Sequence, residues 1–153
     1  MIFLGIDPGK SGALAIIAPS EIAVIPFDEI AYRDNLSTIN RYMGGGEKAV
    51  CALEKVGAMP QQGVSSTFEF GRNFGYIEGL LVAYCIPYQL VIPAKWKKEF
   101  ALLKRDKDAS IAEARRLFPS VSLLPTARSR KENDGMAEAL LLAEWGRRMY
   151  RGR

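Results

Sequence analysis

Four acidic residues stand where a folded chain could bring them together. Asp7 closes the first apolar segment of the sequence, and Glu54 closes the fourth. If those two segments are neighbouring strands, both carboxylates emerge at the same edge of a sheet. Asp134 and Glu138 are spaced i,i+4, so a helix there places both on one face, with β-carbons about 5–6 Å apart. The spacing therefore predicts that four carboxylates converge.

Converging carboxylates repel one another unless cations lie among them. The chain has no histidine and no cluster of cysteines, which disfavours zinc and favours a hard cation bound by oxygen. Mg²⁺ and Mn²⁺ suit such ligands. Two ions about 3.5–4 Å apart can clamp a phosphodiester, one activating water and the other stabilising the leaving oxygen. The acids therefore predict metal-dependent phosphodiester hydrolysis with two Mg²⁺ or Mn²⁺ ions per site.

Each acidic residue also has a purely structural interpretation. Asp7 precedes Pro-Gly, where an aspartate commonly stabilises a turn. Asp134 suits a helix N-terminus, where the helix dipole favours negative charge. Glu138 could be a surface glutamate, although its apolar neighbours indicate an inward direction. Glu54 is the hardest to explain structurally, because a charge directly after an apolar strand lies beside the core.

Apolar segments and chain breakers predict the elements that position these acids. Strands are predicted at residues 2–6, 12–18, 21–27, 49–53 and 88–92, and helices at 30–43, 66–84, from Pro93 onwards, 106–118 and 133–150. The first three strands read as a meander, and the strand–helix–strand connections imply parallel neighbours. We therefore expect an α/β fold of one domain, residues 1–153. Its mixed five-stranded sheet, a three-strand meander plus parallel strands flanked by helices, has the element order of ribonuclease-H-like folds.

The charge distribution favours a polyanionic partner. The net charge of the 153-residue chain is +4, and its basic residues gather in the second half. Basic side chains of this kind bind phosphate backbones with strong salt dependence and without reading sequence. The same residues also fit an ordinary solvated surface.

Export and membrane insertion are not indicated. The opening segment lacks a basic n-region and is interrupted by Asp7, and no apolar run is long enough to span a bilayer. Cys51 and Cys85 lie in apolar runs, so both are expected to be buried, unpaired thiols in a reducing compartment. We expect a cytoplasmic protein without a membrane partner.

Several longer segments carry a resemblance to one enzyme family. These are GIDPGKSGALAII, VCALEKV, MPQQGVSSTFEFGRNFGYIEG, IPAKWKK, KRDKDASIAEARRLFP and NDGMAEALLLA, which cover most of the chain. The combination resembles the RuvC-type Holliday junction resolvases, which are crossover junction endodeoxyribonucleases. The later segments are similar to the phage and prophage branch of that family.

The resemblance implies a homodimer that makes paired nicks at a four-way DNA junction and leaves 5′-phosphate and 3′-hydroxyl ends, in a bacterial or phage-infected cell. Asp7, Glu54 and Asp134 take the positions of metal-binding acids. Glu138 takes a place that aspartate usually holds, so either Asp134 or Glu138 is the principal ligand of the last helix. Lys107 resembles a lysine near the scissile phosphate and is expected to act in catalysis.

The resemblance also implies where DNA is contacted. Residues 57–63 are expected to approach the junction centre, with Met59, Gln61 and Gln62 probing between strands or base pairs; a simple connecting loop is the alternative. Lys97, like Lys107, resembles a lysine that contacts the region of the scissile phosphate. The other predicted DNA-binding residues are Lys98, Lys104, Arg105, Arg128, Arg130 and Lys131.

Three glycines, Gly71, Gly75 and Gly79, form a bare stripe along one face of the predicted second long helix. Each costs about 1 kcal/mol of helix propensity relative to alanine, so a closely approaching backbone is a reasonable explanation. The approaching partner is either a second copy of the chain at a dimer interface or the protein's own sheet.

Three other functions stay open. A nuclease of the same fold could act on flaps, replication forks or RNA–DNA hybrids. A non-catalytic DNA-binding module would use the acids structurally. The Asp-Pro-Gly turn also occurs in actin-like nucleotide-binding proteins, but these need two related lobes, and this chain offers one.

Overall fold

The computed structural model describes residues 1–57 and 63–151. The strands are β1 (Ile2–Asp7), β2 (Ala13–Ile17), β3 (Ile22–Pro26), β4 (Ala49–Glu54) and β5 (Tyr88–Val91), and the helices are α1 (Glu29–Gly44), α2 (Val64–Ala83), α3 (Pro93–Glu99), α4 (Lys107–Leu117) and α5 (Asp134–Arg151). One sheet has the order β3-β2-β1-β4-β5. Its first three strands form an antiparallel meander, and β4 runs parallel to β1 and β5. The predicted mixed five-stranded sheet flanked by helices is confirmed.

Side-chain caps explain where some helices begin. Asp28 accepts a hydrogen bond from the Ala31 N–H at 2.8 Å at the start of α1, and Asp106 accepts one from the Ala109 N–H at 3.0 Å at the start of α4. By contrast, α2 begins at Val64, two residues before the predicted start. Its cap is Gly63, which has no side chain that could have indicated this start in the sequence.

Helices cover both faces of the sheet. One hydrophobic cluster joins α1 and α2 to one face, and another joins α3, α4 and α5 to the opposite face. Helix α5 packs across β1, β2, β3 and β4, and its residues 135–145 are all buried except Glu138. A helix that is apolar on nearly all sides belongs to a protein core or a membrane. Within the described ranges, no helix is both long and apolar enough to cross a bilayer.

Two glycines allow α5 to lie directly on the end of β1. A Cβ atom at Gly5 would overlap the backbone of Ala139 and Ala143 in α5. A Cβ atom at Gly135 would overlap the backbone of Ser11, in the turn between β1 and β2. Backbone atoms cannot rotate aside as the end of a side chain can, so a larger residue at either position would push the helix away from the sheet.

The expectation for the two cysteines is half right. Both are free and Cys51 is buried, but the prediction that Cys85 is buried is wrong, because it is exposed. The apolar run that contains it straddles the end of α2. Cys85 lies in the following turn with φ 53° and faces outwards, while its neighbour Ile86 takes the buried position.

Candidate metal centre

Asp7 and Glu54 end two adjacent parallel strands. β1 and β4 pair in register with Ile6 opposite Leu53, so Asp7 and Glu54 come next, at the same level of the sheet. Ile6 and Leu53 belong to the cluster that packs against α1 and α2. Because successive residues of a strand face opposite sides, both carboxylates turn towards the face that α5 covers. Neighbouring strands lie about 4.8 Å apart, so the two acids are neighbours.

Helix α5 brings Glu138 to the same end of the sheet. Glu138 directly precedes Ala139, whose backbone lies against Gly5 of β1, two residues before Asp7. The side chain of Glu138 is only 14% exposed, so it is directed into the protein and not out into solvent. The interpretation of Glu138 as an ordinary surface glutamate is therefore not supported by its position.

Asp134 lies in the first turn of α5 and is 29% exposed. The N-terminus of this helix is capped by its neighbour Asn133, whose Oδ1 accepts a hydrogen bond from the Met136 N–H at 3.0 Å. Asp134 is therefore not the capping residue, although its place in the first turn agrees with the predicted interaction with the helix dipole. Its Oδ2 instead lies 2.6 Å from Nζ of Lys107, the first residue of α4.

One oxygen of each strand-end carboxylate is fixed by an N–H donor. The Gly9 N–H donates to Asp7 Oδ1 at 3.0 Å, so the predicted turn-stabilising role of Asp7 is present and uses one oxygen. The indole Nε1–H of Trp96, in α3, donates to Glu54 Oε1 at 2.9 Å. Neither Asp7 Oδ2 nor Glu54 Oε2 receives a hydrogen bond from the residues that the structure describes. Each acid thus keeps one oxygen for another partner.

Lysines neutralise the two candidate ligands of α5, Glu138 and Asp134. Lys97 Nζ lies 2.9 Å from Glu138 Oε1, and the Ser110 hydroxyl donates to the same oxygen at 3.3 Å. On the other acid, the hydrogen bond and charge of Asp134 raise the pKa of Lys107. Burial alone would raise the pKa of Asp134, but the hydrogen bond and charge of Lys107 outweigh burial and lower it. The two lysines thus act as internal counter-ions.

Burial makes the strand-end acids unusually weak. It raises the pKa of Asp7 to about 6; the Gly9 N–H opposes this shift, and the charges of Glu138 and Asp134 add to it. Burial likewise raises the pKa of Glu54 to about 7; the Trp96 hydrogen bond opposes this shift, and the charges of Asp7 and Glu138 add to it. A cation between these carboxylates would favour their charged forms and so relieve the cost of burying them.

We expect the metal-free protein to lose stability as the pH rises through this range. In the unfolded chain the two acids lose their protons near the ordinary values of 3.8 and 4.5, whereas the folded protein keeps them until about 6 and 7. Folding therefore binds protons in this interval, and the contribution of Asp7 and Glu54 to the free energy of unfolding falls as the pH rises.

Urea denaturation in EDTA checks this expectation. The free energy of unfolding of Asp7→Asn, relative to that of the parent, should increase between about pH 4 and about pH 8. Comparing the two proteins cancels the contributions of groups elsewhere that titrate in the same range. A difference that stays constant with pH would contradict the buried, charge-crowded environment of Asp7.

The chemistry of this end of the molecule fits a hard divalent cation. The candidate ligands Asp7, Glu54, Asp134 and Glu138 are all carboxylates, and the chain has no histidine. In residues 1–57 and 63–151, however, no three His, Cys, Asp or Glu side chains form a ready-made metal-binding group. Asp134 and Glu138 are held by lysines, so the structure gathers the four candidate ligands at one end without closing them into a single cluster.

The predicted DNA-binding residues lie on segments next to these acids. Lys97 and Lys98 are in α3, Lys104 and Arg105 follow α3, and Lys107 begins α4. A second set, which precedes α5, consists of Arg128, Arg130 and Lys131. Apart from the half-buried Lys97, the side chains of both sets are exposed. Their exposure fits either a DNA-binding surface or a solvated one. Met59, Gln61 and Gln62 lie outside the described residues.

Sequence reasoning missed Trp96, Ser110 and Asn133. Trp96 left a usable signal, because a tryptophan among lysines on a short helix is commonly buried, and its N–H then needs an acceptor. Asn133 also stands where a helix cap is preferred, directly before the acidic residue that begins the helix. Ser110 left no signal, since its contact with Glu138 depends on how α4 packs against α5.

Comparisons with known proteins bear on the fold. No family model matches the chain, and no match was found among curated protein sequences. The structure of Thermus thermophilus RuvC matches with 15% identity and a TM-score of 0.61, over 98% of this chain and 97% of that one. T. thermophilus RuvC in complex with a Holliday junction substrate matches with 14% identity and a TM-score of 0.63, over 97% and 96%. The chain therefore has a RuvC-like, ribonuclease-H-like fold.

Proposed function

We propose that this protein is a metal-dependent endonuclease that resolves four-way DNA junctions by paired nicks, leaving 5′-phosphate and 3′-hydroxyl ends. One observation carries the proposal: acids from two adjacent parallel strands and from the helix across them gather at one end of the sheet, beside a basic surface. We also propose that the protein belongs to the phage and prophage branch of the RuvC-type family, and that it acts in the cytoplasm of a bacterial or phage-infected cell.

The comparison structures support a junction substrate through the fold. One of the two similar structures is of a RuvC bound to a Holliday junction substrate. Its sequence identity to this chain is low, so the argument for chemistry depends on the residues themselves. Asp7 and Glu54 lie side by side at the ends of β1 and β4. The turn explains one oxygen of Asp7, but it does not explain why a second carboxylate, that of Glu54, is buried beside it.

The proposed metal ligands are Asp7, Glu54, Asp134 and Glu138, with Mg²⁺ or Mn²⁺ as the ions, two per site. Bound there, such ions supply positive charge to a phosphodiester and polarise the attacking water. The protein itself holds one oxygen of Asp7 and one of Glu54 with N–H donors, so the remaining oxygens have a fixed direction. Glu54 is only 5% exposed, so bulk water has little access to this side of the proposed site.

The two lysines have a second use in this proposal. Lys107 is 78% exposed, and Lys97 is 30% exposed. If a divalent ion replaces the ammonium group at its carboxylate, the ammonium group can contact a DNA phosphate instead. A positive charge there would stabilise the negative charge that develops during phosphodiester cleavage. The exposed cations listed above would hold the DNA backbone further from the acids, with an affinity that falls as salt rises.

A substrate panel tests the proposal. The parent protein, with and without Mg²⁺, is given a synthetic four-way junction, a flap, a replication fork, an RNA–DNA hybrid and a linear duplex at the same salt concentration. The proposal expects Mg²⁺-dependent, symmetric nicks in the junction and little cutting of the duplex. Preferential cutting of flaps, forks or hybrids would assign the same chemistry to a different substrate, and no cutting of any substrate would favour a non-catalytic DNA-binding module.

Helix α2 supports a homodimer. Its predicted bare stripe does not pack on the protein's own sheet: nothing in the described chain lies within 4 Å of a Cβ atom built at Gly71, Gly75 or Gly79. The stripe is extended at its two ends by apolar side chains, Phe68 at 73% exposure and Val82 at 65%. Packing of the glycines on the protein's own sheet is therefore not supported by the described residues, and we propose that the stripe instead faces a second copy of this protein.

Replacing Gly75 with leucine should convert the dimer to a monomer. The larger side chain prevents close approach of the second α2 helix, while the isolated fold has open space at this position. Sedimentation equilibrium at micromolar concentration measures the change. Gly44→Leu is the matched control, because it adds the same side chain at another position with open space. A parent that is monomeric with and without junction DNA would contradict the dimer.

A further inference from the structure

Trp96 makes a contact that its burial alone does not require. Its side chain is 0% exposed, and its indole N–H donates to Glu54 Oε1 at 2.9 Å. A buried indole N–H normally finds an acceptor, but a neutral carbonyl oxygen satisfies it without placing a carboxylate in the core. Here the acceptor is an ionisable group that is itself 5% exposed, and burying such a group is costly.

The fold fixes the tryptophan at this place. β5 pairs with β4 so that Val91 lies opposite Glu54, and the Lys55 N–H donates to the Val91 carbonyl at 2.8 Å. The chain then leaves the sheet at Ile92, and Pro93 begins α3. Trp96, in the first turn of α3, thereby returns to the end of β4. Strand pairing and the helix start thus determine which side chain reaches Glu54.

A second buried tryptophan provides a comparison. Trp145 in α5 is 3% exposed, close to the burial of Trp96. Its contacts are with the apolar cluster and with the ammonium group of Lys95, 5.3 Å from its ring, and it makes no hydrogen bond to Asp7, Glu54, Asp134 or Glu138. The two residues therefore share size and burial but differ in whether they touch a candidate metal ligand.

We propose that Trp96 is a positioning residue that holds Glu54 Oε1 so that only Oε2 is presented to a divalent cation. The inference depends on the proposed metal centre. A carboxylate that offers one oxygen suits the strict octahedral geometry of Mg²⁺, whereas larger cations accept two oxygens from the same carboxylate. Partners that orient a ligand in this way affect metal affinity by about 10–100-fold.

Isothermal calorimetry with Mg²⁺ alone tests the role of Trp96. Trp96→Phe removes the N–H and should weaken Mg²⁺ binding at least about tenfold. Trp145→Phe makes the same change in a core of similar burial and should bind Mg²⁺ like the parent. In the junction assay, Trp96→Phe should need a higher Mg²⁺ concentration for half-maximal rate but approach the parental kcat at saturation, because a better-filled site restores the ligand geometry.

Different results overturn different parts of the argument. If the parent binds no Mg²⁺, the metal centre is wrong and the inference falls with it. If the parent and Trp145→Phe bind Mg²⁺ and Trp96→Phe binds it equally well, only the positioning role is wrong. Equal weakening in both tryptophan variants would show a general effect of core packing and would also overturn that role.

A spectroscopic measurement covers the possibility that Trp96→Phe does not fold. The chain has two tryptophans, so in Trp145→Phe the fluorescence comes from Trp96 alone. Added Mg²⁺ should change this emission, because the indole shares a hydrogen bond with the ligand, and the added substitution Glu54→Gln should abolish the change. A Trp96 emission that does not respond to Mg²⁺ bound by the same variant would overturn the positioning role.

Discussion

Replacement of Asp7 with asparagine should lower Mg²⁺-dependent nicking of a four-way junction by at least about 100-fold, the scale on which loss of one electrostatic group lowers kcat. Asparagine keeps the shape of the side chain and can still accept the hydrogen bond from the Gly9 N–H. It removes the negative charge that stands beside Glu54 at the ends of β1 and β4. Junction binding should stay near the parental level, because affinity comes from the basic surface.

Two measurements are needed for this variant: nicking rates at saturating Mg²⁺, and junction affinity by gel shift or fluorescence anisotropy. Asp34→Asn is a suitable control, since Asp34 is an exposed aspartate of α1 that pairs with Arg33. It should leave both quantities unchanged. A variant of Asp7 that cuts as fast as the parent would show that the strand-end acids are not the catalytic centre.

The second large effect is expected from Gly5→Val. The added atoms meet the backbone of α5 at Ala139 and Ala143. Overpacking a core commonly costs about 1–3 kcal/mol, and the upper end is expected here because the obstacle is backbone. Displacement of α5 also moves Glu138 away from Asp7, so nicking should fall further than the loss of stability alone explains.

Urea denaturation of Gly5→Val gives the change in free energy of unfolding, and the junction assay, run where the variant is still folded, gives the change in rate. Gly44→Val serves as the comparison, because a Cβ atom there has nothing within 4 Å. The close approach of α5 to β1 would be refuted if the Gly5 variant unfolded at the same urea concentration as the parent.

The sheet was predictable because its strands are short apolar runs separated by strong breakers. Asp7-Pro8-Gly9 stops β1, and the apolar run of β4 ends at an acidic residue. The strand–helix–strand order implied parallel neighbours for β4, but its pairing with β1 stayed a condition of the prediction; the structure shows that pairing, which brings the two terminal acids to the same end of the sheet. Helix α5 was also predictable, since its stretch from Met136 to Trp145 is apolar except for Glu138 and Glu144.

Contacts between elements that are distant in sequence could not be predicted in the same way. Nothing in the sequence near Glu138 or Asp134 shows that lysines from α3 and α4 will reach them. The exposure of Cys85 was missed because an apolar run was treated as one environment, although a helix ends within it. For Gly75 the spacing suggested close packing against either a second copy or the protein's own sheet, and the structure adds only that none of the described residues lies within 4 Å of a Cβ atom built there.

Lys97 and Lys107, which pair with Glu138 and Asp134, link the proposed binding of metal ions to the proposed binding of DNA. Each of these lysines has one positive charge. It can form a close ion pair with a carboxylate of its own protein or with a phosphate oxygen of a nucleic acid, but an ion pair with one weakens the ion pair with the other. DNA that draws Lys97 or Lys107 away makes Glu138 or Asp134 a better ligand, and a divalent ion at those acids frees the lysine for DNA. By thermodynamic reciprocity, each binding event strengthens the other by the same factor. The proposal therefore expects Mg²⁺ to bind more tightly when DNA is present than when it is absent.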